Sequence, residues 1–203
     1  MDLSDEEISQ IQQETKADQE LKETLASDVQ ICIDTLKQQD TQFARRSLVR
    51  TIFAAIEGLT HTLKRAALHH DGLFNERLRE VDRVYLKEEC FDLDDNGKVK
   101  TRKSKIPLKT NVRLAFRTFA HMARLTLTLN VGDAGWDYFL KGIAIRDRLT
   151  HPKNSESLMV SDDEMETVEN SYTWFANEYL RFMEAFTARM NEDTEKLKRQ
   201  SAD

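Results

Sequence analysis

Proline, glycine and cysteine are scarce in this chain of 203 residues, and long apolar runs are missing. The chain contains two prolines and six glycines, while 33% of its residues are charged, a composition typical of a soluble, helix-rich protein. No apolar run reaches the roughly 18 residues of a membrane span, so we expect no membrane association. Residues 1–7 are acidic and polar, unlike a secretory signal.

The two cysteines, Cys32 and Cys90, form no CxxC pair and no disulfide framework. A reducing cytoplasm is therefore the simplest compartment. Two other patterns resemble metal sites but are incomplete. An EF-hand-like start at residues 92–97 has Lys103 where a bidentate glutamate is needed, and the His-His-Asp run at 69–71 has no partner cluster. We therefore expect no metal and no cofactor.

Positive charge is concentrated in the middle of an acidic chain. Residues 98–153 contain 13 lysines and arginines but three acids, a net charge of +10, whereas the whole chain carries −6. The remainder therefore carries −16. Such a basic segment is typical of a polyanion-binding site on an acidic protein, and chance clustering on a solvated face is the alternative.

Apolar residues recur at spacings of three and four along most of the chain, which predicts an all-α protein. A capping box at residues 4–7 opens an acidic helical arm over residues 1–27. The sequence leaves three alternatives for this arm: packing on the core of its own chain, packing on a second subunit, or fraying in solution. The clearest apolar stripe lies between Leu48 and Leu63, and another helix is expected over residues 75–89.

One strong turn signal interrupts the helical pattern. The pair Asn96-Gly97 accepts positive φ, which predicts a small hairpin or ordered loop near residues 90–107. Helical spacing resumes at Thr110 and continues to Leu129, before glycines break it.

Two further helices are expected in the C-terminal half. The first extends from Trp136 to Thr150 and is stopped by Pro152. A second capping box at residues 161–164 opens the last helix, and the charged tail 191–203 is expected to fray.

The segment 146–152, RDRLTHP, places an arginine, an acid and a histidine at the end of a predicted helix. Arginine is a permanent cation with forked donors that suit phosphate, and histidine exchanges a proton near neutral pH. On an unbroken helix Arg146 and His151 would lie roughly 140° apart. Pro152 disfavours the α conformation at His151, which leaves the histidine on the terminal turn. The structural alternative is a surface Arg–Asp pair followed by an ordinary helix stop.

Residues 136–153 resemble the penultimate helix of the HEPN superfamily, a group of all-α RNA-processing domains. They contain the R-x4-6-H motif of that family as Arg146 to His151, with a polar residue directly after the arginine. This constellation is a minimal set of groups for phosphodiester chemistry without a metal.

The resemblance extends beyond the motif. Residues 157–164 lead into an aromatic last helix with Trp174, as in the family. The earlier helix over residues 50–63, with Glu57 inside its apolar stripe, is similar to the same layout, and Glu57 either pairs with an arginine or lies at the stripe's edge. The resemblance covers about residues 40–190.

This resemblance implies an up-and-down bundle of four to five core helices over residues 28–190 that pairs into a homodimer. In the family, two motifs meet at the dimer interface and cleave RNA without a metal, by attack of the 2′-hydroxyl on its own phosphate. Transferred to this chain, His151 acts as general acid or base, Arg146 holds the phosphate and Asp147 supports both. Other cations of the basic segment are expected to bind RNA, namely Arg148, Lys153, Lys141, Arg113 and Arg117.

The expected function is a metal-independent endoribonuclease of the toxin or defence type. RNA, a second copy and an antitoxin or effector protein are the expected partners. The chain has Lys153 where one branch of the family has a regulatory tyrosine, and Asp147 where asparagine is frequent. One alternative is a non-catalytic HEPN-derived module that binds RNA, nucleotide or protein. Another is a structural protein that assembles through its arm and final helix.

Overall fold

The chain folds into a helical bundle with one small hairpin. The structure, a computed structural model, describes residues 5–71 and 77–200. A 3-10 turn covers Glu156–Leu158, and the predicted all-α bundle is confirmed. The helices and strands are α1 (Asp5–Gln38), α2 (Gln42–His69), α3 (Glu80–Leu86), β1 (Glu89–Leu93), β2 (Val99–Lys103), α4 (Leu108–Met122), α5 (Ala134–Thr150) and α6 (Asp162–Gln200).

Aromatic side chains fill the centre of the bundle. Helix α1 packs along α2, α5 packs along α6, and α2 also contacts α4. The rings of Phe116 and Phe182 meet edge to face, with centroids 4.9 Å apart. Each buried ring removes a large apolar area from water, so these contacts dominate the stability of the core. The fully buried phenylalanines are Phe53, Phe116, Phe119, Phe139, Phe175 and Phe182.

Helix α1 is longer than the predicted arm and lies against α2. The boundary expected between residues 27 and 28 falls within α1, which continues to Gln38. Arg65 of α2 forms ion pairs with Glu14 and Asp18 of α1. The arm therefore packs on the core of its own chain along this length.

A break between α1 and α2 was not predicted from the sequence. Residues 39–41 separate the two helices, and the Thr41 hydroxyl accepts a hydrogen bond from the Ala44 N–H at 3.1 Å. This contact satisfies one of the free N–H groups in the first turn of α2. The capping box expected at residues 4–7 begins outside the described residues.

The hairpin predicted near residues 90–107 is confirmed by the antiparallel pairing of β1 with β2. The Asp94 carboxylate accepts hydrogen bonds from the N–H groups of Asn96 and Lys98, at 2.9 and 2.8 Å. Gly97 has a φ of 74°, a conformation that glycine adopts without steric cost.

The helix predicted over residues 75–89 is shorter in the structure. Residues 75 and 76 lie outside the described part, and residues 77–79 are not helical. Instead α3 begins at Glu80, and Glu88 at its far end has a φ of 55° that stops helical continuation. An ion pair from Arg83 to Asp71 connects α3 to the end of α2.

The prediction that the following helix continues to Leu129 was wrong. Helix α4 ends at Met122, because Arg124 adopts a φ of 54° and the next N–H donates to the Ala120 carbonyl at 2.8 Å. The apolar residues beyond it alternate with exposed ones, which is the period of an extended segment. These half-buried residues are Leu125, Leu127, Leu129 and Val131.

The second capping box is confirmed at the start of α6. The Ser161 N–H donates to the Glu164 carboxylate at 3.1 Å, and the Glu164 N–H donates to the Ser161 hydroxyl at 3.3 Å. The helix continues to Gln200, nine residues past Asn191, beyond which the tail is expected to fray. Ion pairs within the last turns favour this continuation, among them Arg189–Asp193 and Lys198–Glu195.

We predict that Gly135→Ala lowers the free energy of unfolding by about 1–2 kcal/mol. A Cβ at this position would lie 2.6 Å from Cγ of Trp174, so α5 and α6 would have to separate. Gly132→Ala is the matched control, since no atom of residues 5–71 and 77–200 lies within 4 Å of its added Cβ. Urea unfolding of both variants tests the contact, and equal stabilities would contradict it.

Candidate functional site

The motif lies at the C-terminal end of α5. The helix begins where Asp133 accepts a hydrogen bond from the Trp136 N–H at 2.9 Å, and it ends at Thr150. His151 has left the helical conformation, with a φ of −124° and a ψ of 60°. Its N–H still donates to the Asp147 carbonyl at 3.0 Å, and Pro152 prevents another turn. The predicted position of His151 on the terminal turn of the helix is therefore confirmed.

Arginine side chains bind the backbone that follows α5. A helix end and an irregular segment leave carbonyl groups without partners, and four arginines donate to such groups between residues 149 and 160. We call these four residues the arginine clamp. Its contacts are Arg45 to Val160 (3.0 Å), Arg46 to Leu158 (3.1 Å), Arg50 to Leu149 (3.1 Å), and Arg148 to Ser157 (2.7 Å) and Met159 (2.8 Å).

The clamp changes the interpretation of Arg148, which was expected to bind RNA. Its guanidinium also pairs with Glu164 at 2.7 Å, so the side chain connects α5 to α6. Three protein acceptors hold this arginine in place, and its role in the fold is structural. The other three clamp residues lie outside the basic segment, and the sequence analysis did not select them. The one local sign of their role is that three arginines occur close together in the first turns of α2.

Arg146 is held between two carboxylates. One terminal nitrogen of its guanidinium donates to Glu57 of α2, and the other donates to Asp147 at 2.9 Å. The Arg146 side chain is 29% exposed, so it is partly accessible. Of the two alternatives for Glu57, pairing with an arginine is the one observed. These contacts fix the orientation of the guanidinium, and the two carboxylates outweigh its single positive charge.

His151 is exposed and its ring has no hydrogen-bond or ion-pair partner among residues 5–71 and 77–200. The Asp147 carboxylate contacts Arg146 and does not orient the histidine within that part of the chain. Asp147 was expected to support both Arg146 and His151, and in the described residues its carboxylate contacts Arg146 alone. The exposed imidazole can therefore be reached by a ligand.

The remaining cations predicted to bind RNA are divided between two places. Lys153 is exposed two residues after the histidine, and Lys141 lies on α5 with its ammonium 5.7 Å from the Tyr138 ring centre. Arg113 of α4 instead stacks on Trp136, and Arg117 lies on the same helix. Trp136 precedes Arg146 by ten residues, about 15 Å along α5. The structure thus separates the two α4 arginines from the motif.

The described residues contain neither a cluster of metal-ligating side chains nor a membrane-spanning helix. Within residues 5–71 and 77–200, no group of three or more His, Cys, Asp or Glu side chains is arranged to hold a metal ion. No helix in the same ranges combines the length and the apolar character that crossing a bilayer requires. The groups that the motif does present are a guanidinium, two carboxylates and an imidazole.

We predict that Arg148→Gln lowers the free energy of unfolding by about 1–2 kcal/mol, because it removes charged hydrogen bonds to two carbonyls and Glu164. Lys141→Gln, which makes the same change of charge at an exposed position of α5, should alter stability by less than about 0.5 kcal/mol. Urea unfolding compares the two. Equal stability of both variants would show that the clamp contributes nothing at Arg148.

No protein-family model, curated protein or solved structure matches this chain. The resemblance to the HEPN superfamily therefore rests on the motif residues and on the layout of the helices around them.

Proposed function

We propose that this protein is a metal-independent endoribonuclease whose active site contains Arg146 and His151. One observation carries the proposal. A partly exposed arginine, held in one orientation by two carboxylates, lies one turn before an exposed histidine without a partner in the described residues. Phosphate binding and proton transfer are the two roles that phosphodiester cleavage requires of side chains when no metal takes part.

The carboxylates leave Arg146 able to bind a phosphate. A guanidinium has five N–H donors, and the contacts with Glu57 and Asp147 use one terminal nitrogen each. The remaining N–H groups are available to phosphate oxygens. The bound carboxylates also hold the group in place before the ligand arrives, which lowers the entropy cost of ordering it.

In the proposed reaction His151 accepts the proton of the RNA 2′-hydroxyl. The 2′-oxygen attacks the adjacent phosphorus, the bond from phosphorus to the 5′-oxygen breaks, and Arg146 stabilises the negative charge that develops on the phosphate. The departing 5′-oxygen takes a proton, so the products end in a 2′,3′-cyclic phosphate and a 5′-hydroxyl. Neither water nor a metal takes part in this proposed cleavage step.

A second copy of the chain would complete the site. One motif supplies one imidazole, whereas the reaction needs a base at the 2′-oxygen and an acid at the 5′-oxygen. Two motifs facing each other across a homodimer provide both, one His151 neutral and the other protonated. We propose this composite arrangement, with a role in defence or as a toxin that an antitoxin or effector protein controls.

The non-catalytic module is the second candidate, and one observation favours it. Glu57 and Asp147 together carry more negative charge than Arg146 carries positive charge, and both acids are exposed, at 43% and 54% of their side chains. Such a pair weakens the attraction for phosphate. In this reading the other cations of the basic segment bind RNA or a nucleotide, or the bundle face binds a protein, and no RNA is cleaved.

We predict that the wild type cleaves single-stranded RNA in EDTA and that His151→Ala reduces the rate by on the order of 100-fold or more, because a general acid–base group is lost. His61→Ala is the matched control, an exposed histidine on α2 outside the motif. Product ends should be cyclic phosphates. Cleavage that persists in His151→Ala, or that requires a metal, would contradict the proposal, and no cleavage by the wild-type dimer would favour the module.

We predict that Asp147→Asn strengthens binding of a non-cleavable 2′-O-methyl RNA by roughly three- to ten-fold, because one of the two anions beside Arg146 is removed. Glu195→Gln makes the same change of charge on α6, about 30 residues beyond the Glu164 that pairs with Arg148, and screening over that distance should leave binding nearly unchanged. Fluorescence anisotropy measures both. Equal gains in the two variants would mean that only net charge matters.

A further inference from the structure

The exposed face of α4 is almost entirely cationic. Lys109, Arg113, Arg117 and His121 are spaced four residues apart, and each is exposed. Successive members therefore lie on one side of the helix, about 6 Å apart along its axis. The helix contains no aspartate or glutamate, and apart from Thr110 its other residues are buried or half-buried. We call Lys109, Arg113 and Arg117 the α4 ridge.

The neighbouring helix α3 carries two acids. Glu80 pairs with Arg83, whereas Asp82 lies beside the ridge together with Arg79, the residue before the helix. Arg79 donates two hydrogen bonds to Asp82, at 2.7 and 3.0 Å, and Arg117 donates another to the same carboxylate at 3.1 Å. The hydrogen bond from Arg79, with the attraction of both arginines, holds the pKa of Asp82 below its ordinary value. Asp82 thus stays ionised, but one carboxylate does not neutralise two guanidiniums and the rest of the ridge.

A groove lies between the ridge and α3. Its apolar lining includes Val81, Tyr85 and Leu114, and Arg113 and Arg117 stand along one side of it. Tyr85 is 47% exposed, so a flat ligand can reach this residue. A row of cations beside an accessible aromatic ring is the combination that binds single-stranded nucleic acid, with phosphates on the cations and a base on the ring.

We propose that the α4 ridge and Tyr85 form a second RNA-binding surface, specific for single strands and separate from the motif. The choice of RNA as the polyanion rests on the proposed function. Arg113 is already ordered by stacking on Trp136, with its guanidinium carbon 4.9 Å from the ring centre, and its N–H edge remains suited to phosphate. This surface would hold the RNA strand while the motif, about 15 Å further along α5, acts on it.

Three features favour this occupant over a duplex or an acidic protein segment. A duplex keeps its bases stacked inside, so Tyr85 would have no base to bind. An acidic helix would have to supply apolar anchors for the groove in addition to its carboxylates, and it would leave the exposed Tyr85 ring without a stacking partner. Phosphates repeat regularly along a strand, as the cations of the ridge do along α4.

The test measures binding of a fluorescein-labelled single-stranded 2′-O-methyl RNA of mixed sequence over a series of salt concentrations. Blocking the 2′-oxygen prevents cleavage, so binding is read independently of the nuclease. Lys109→Gln with Arg117→Gln should weaken binding and reduce the slope of log affinity against log salt by about 1.4, since each lost phosphate contact removes about 0.7. Lys16→Gln with Lys37→Gln is the charge-matched control on α1 and should leave the slope unchanged. Thermal melting confirms that both variants are folded.

A second pair of variants tests the aromatic contact. Tyr85→Ala should weaken binding of the single strand by about ten-fold and should leave binding of the matching duplex unchanged. Phe91→Ala, which removes an exposed ring on the hairpin, should change neither.

The outcomes separate this proposal from the nuclease. If RNA binding is lost selectively in the ridge variant, the proposed surface is supported even when the wild type never cleaves native RNA. Absence of cleavage would then overturn the nuclease proposal alone. Cleavage that depends on His151 but is unaffected by the ridge and Tyr85 variants overturns the surface and keeps the nuclease. Equal losses in the ridge and control variants, no RNA binding at all, or binding of an acidic peptide in place of RNA also overturn it.

Discussion

The geometry of the motif depends on how the backbone after α5 satisfies its carbonyl groups. Pro152 ends the helix, and the segment that leads to α6 contains a short 3-10 turn and little other regular structure. Carbonyls in such a segment need donors, and the arginine clamp provides them from α2 and from α5 itself. The clamp therefore fixes the end of α5 against α2, and this places Glu57 within reach of Arg146.

This constraint divides the arginines of one short segment between two tasks. Arg148 is occupied by three protein acceptors. Arg146, two residues earlier, donates to Glu57 and Asp147 and keeps N–H groups that no other described residue accepts from. The division explains why a count of positive charge overstates the anion-binding capacity of the motif. Charge that is free to meet a polyanion lies to a larger extent on α4, where the exposed cations share few carboxylates.

The sequence predicted the class of the fold and the end of α5 well, because both depend on local signals. Helical periodicity, the Asn96-Gly97 turn and the Ser161 capping box each act over a few residues. The end of α4 is not predicted, because Met122, Leu125 and Leu129 also fit the three-and-four spacing of a helix. The three α2 arginines of the clamp and the Glu57–Arg146 pair connect residues about 90 or more positions apart, and no local pattern specifies which residues meet.

The central claim is that RNA lies against Arg146 and His151. Photo-crosslinking of a 4-thiouridine-labelled 2′-O-methyl RNA to the wild-type protein, followed by mass spectrometry, locates the contact directly. The account predicts crosslinks within residues 146–153, lost in Arg146→Ala, together with crosslinks around Tyr85. Crosslinks confined to other parts of the chain, with none at the end of α5, would contradict it.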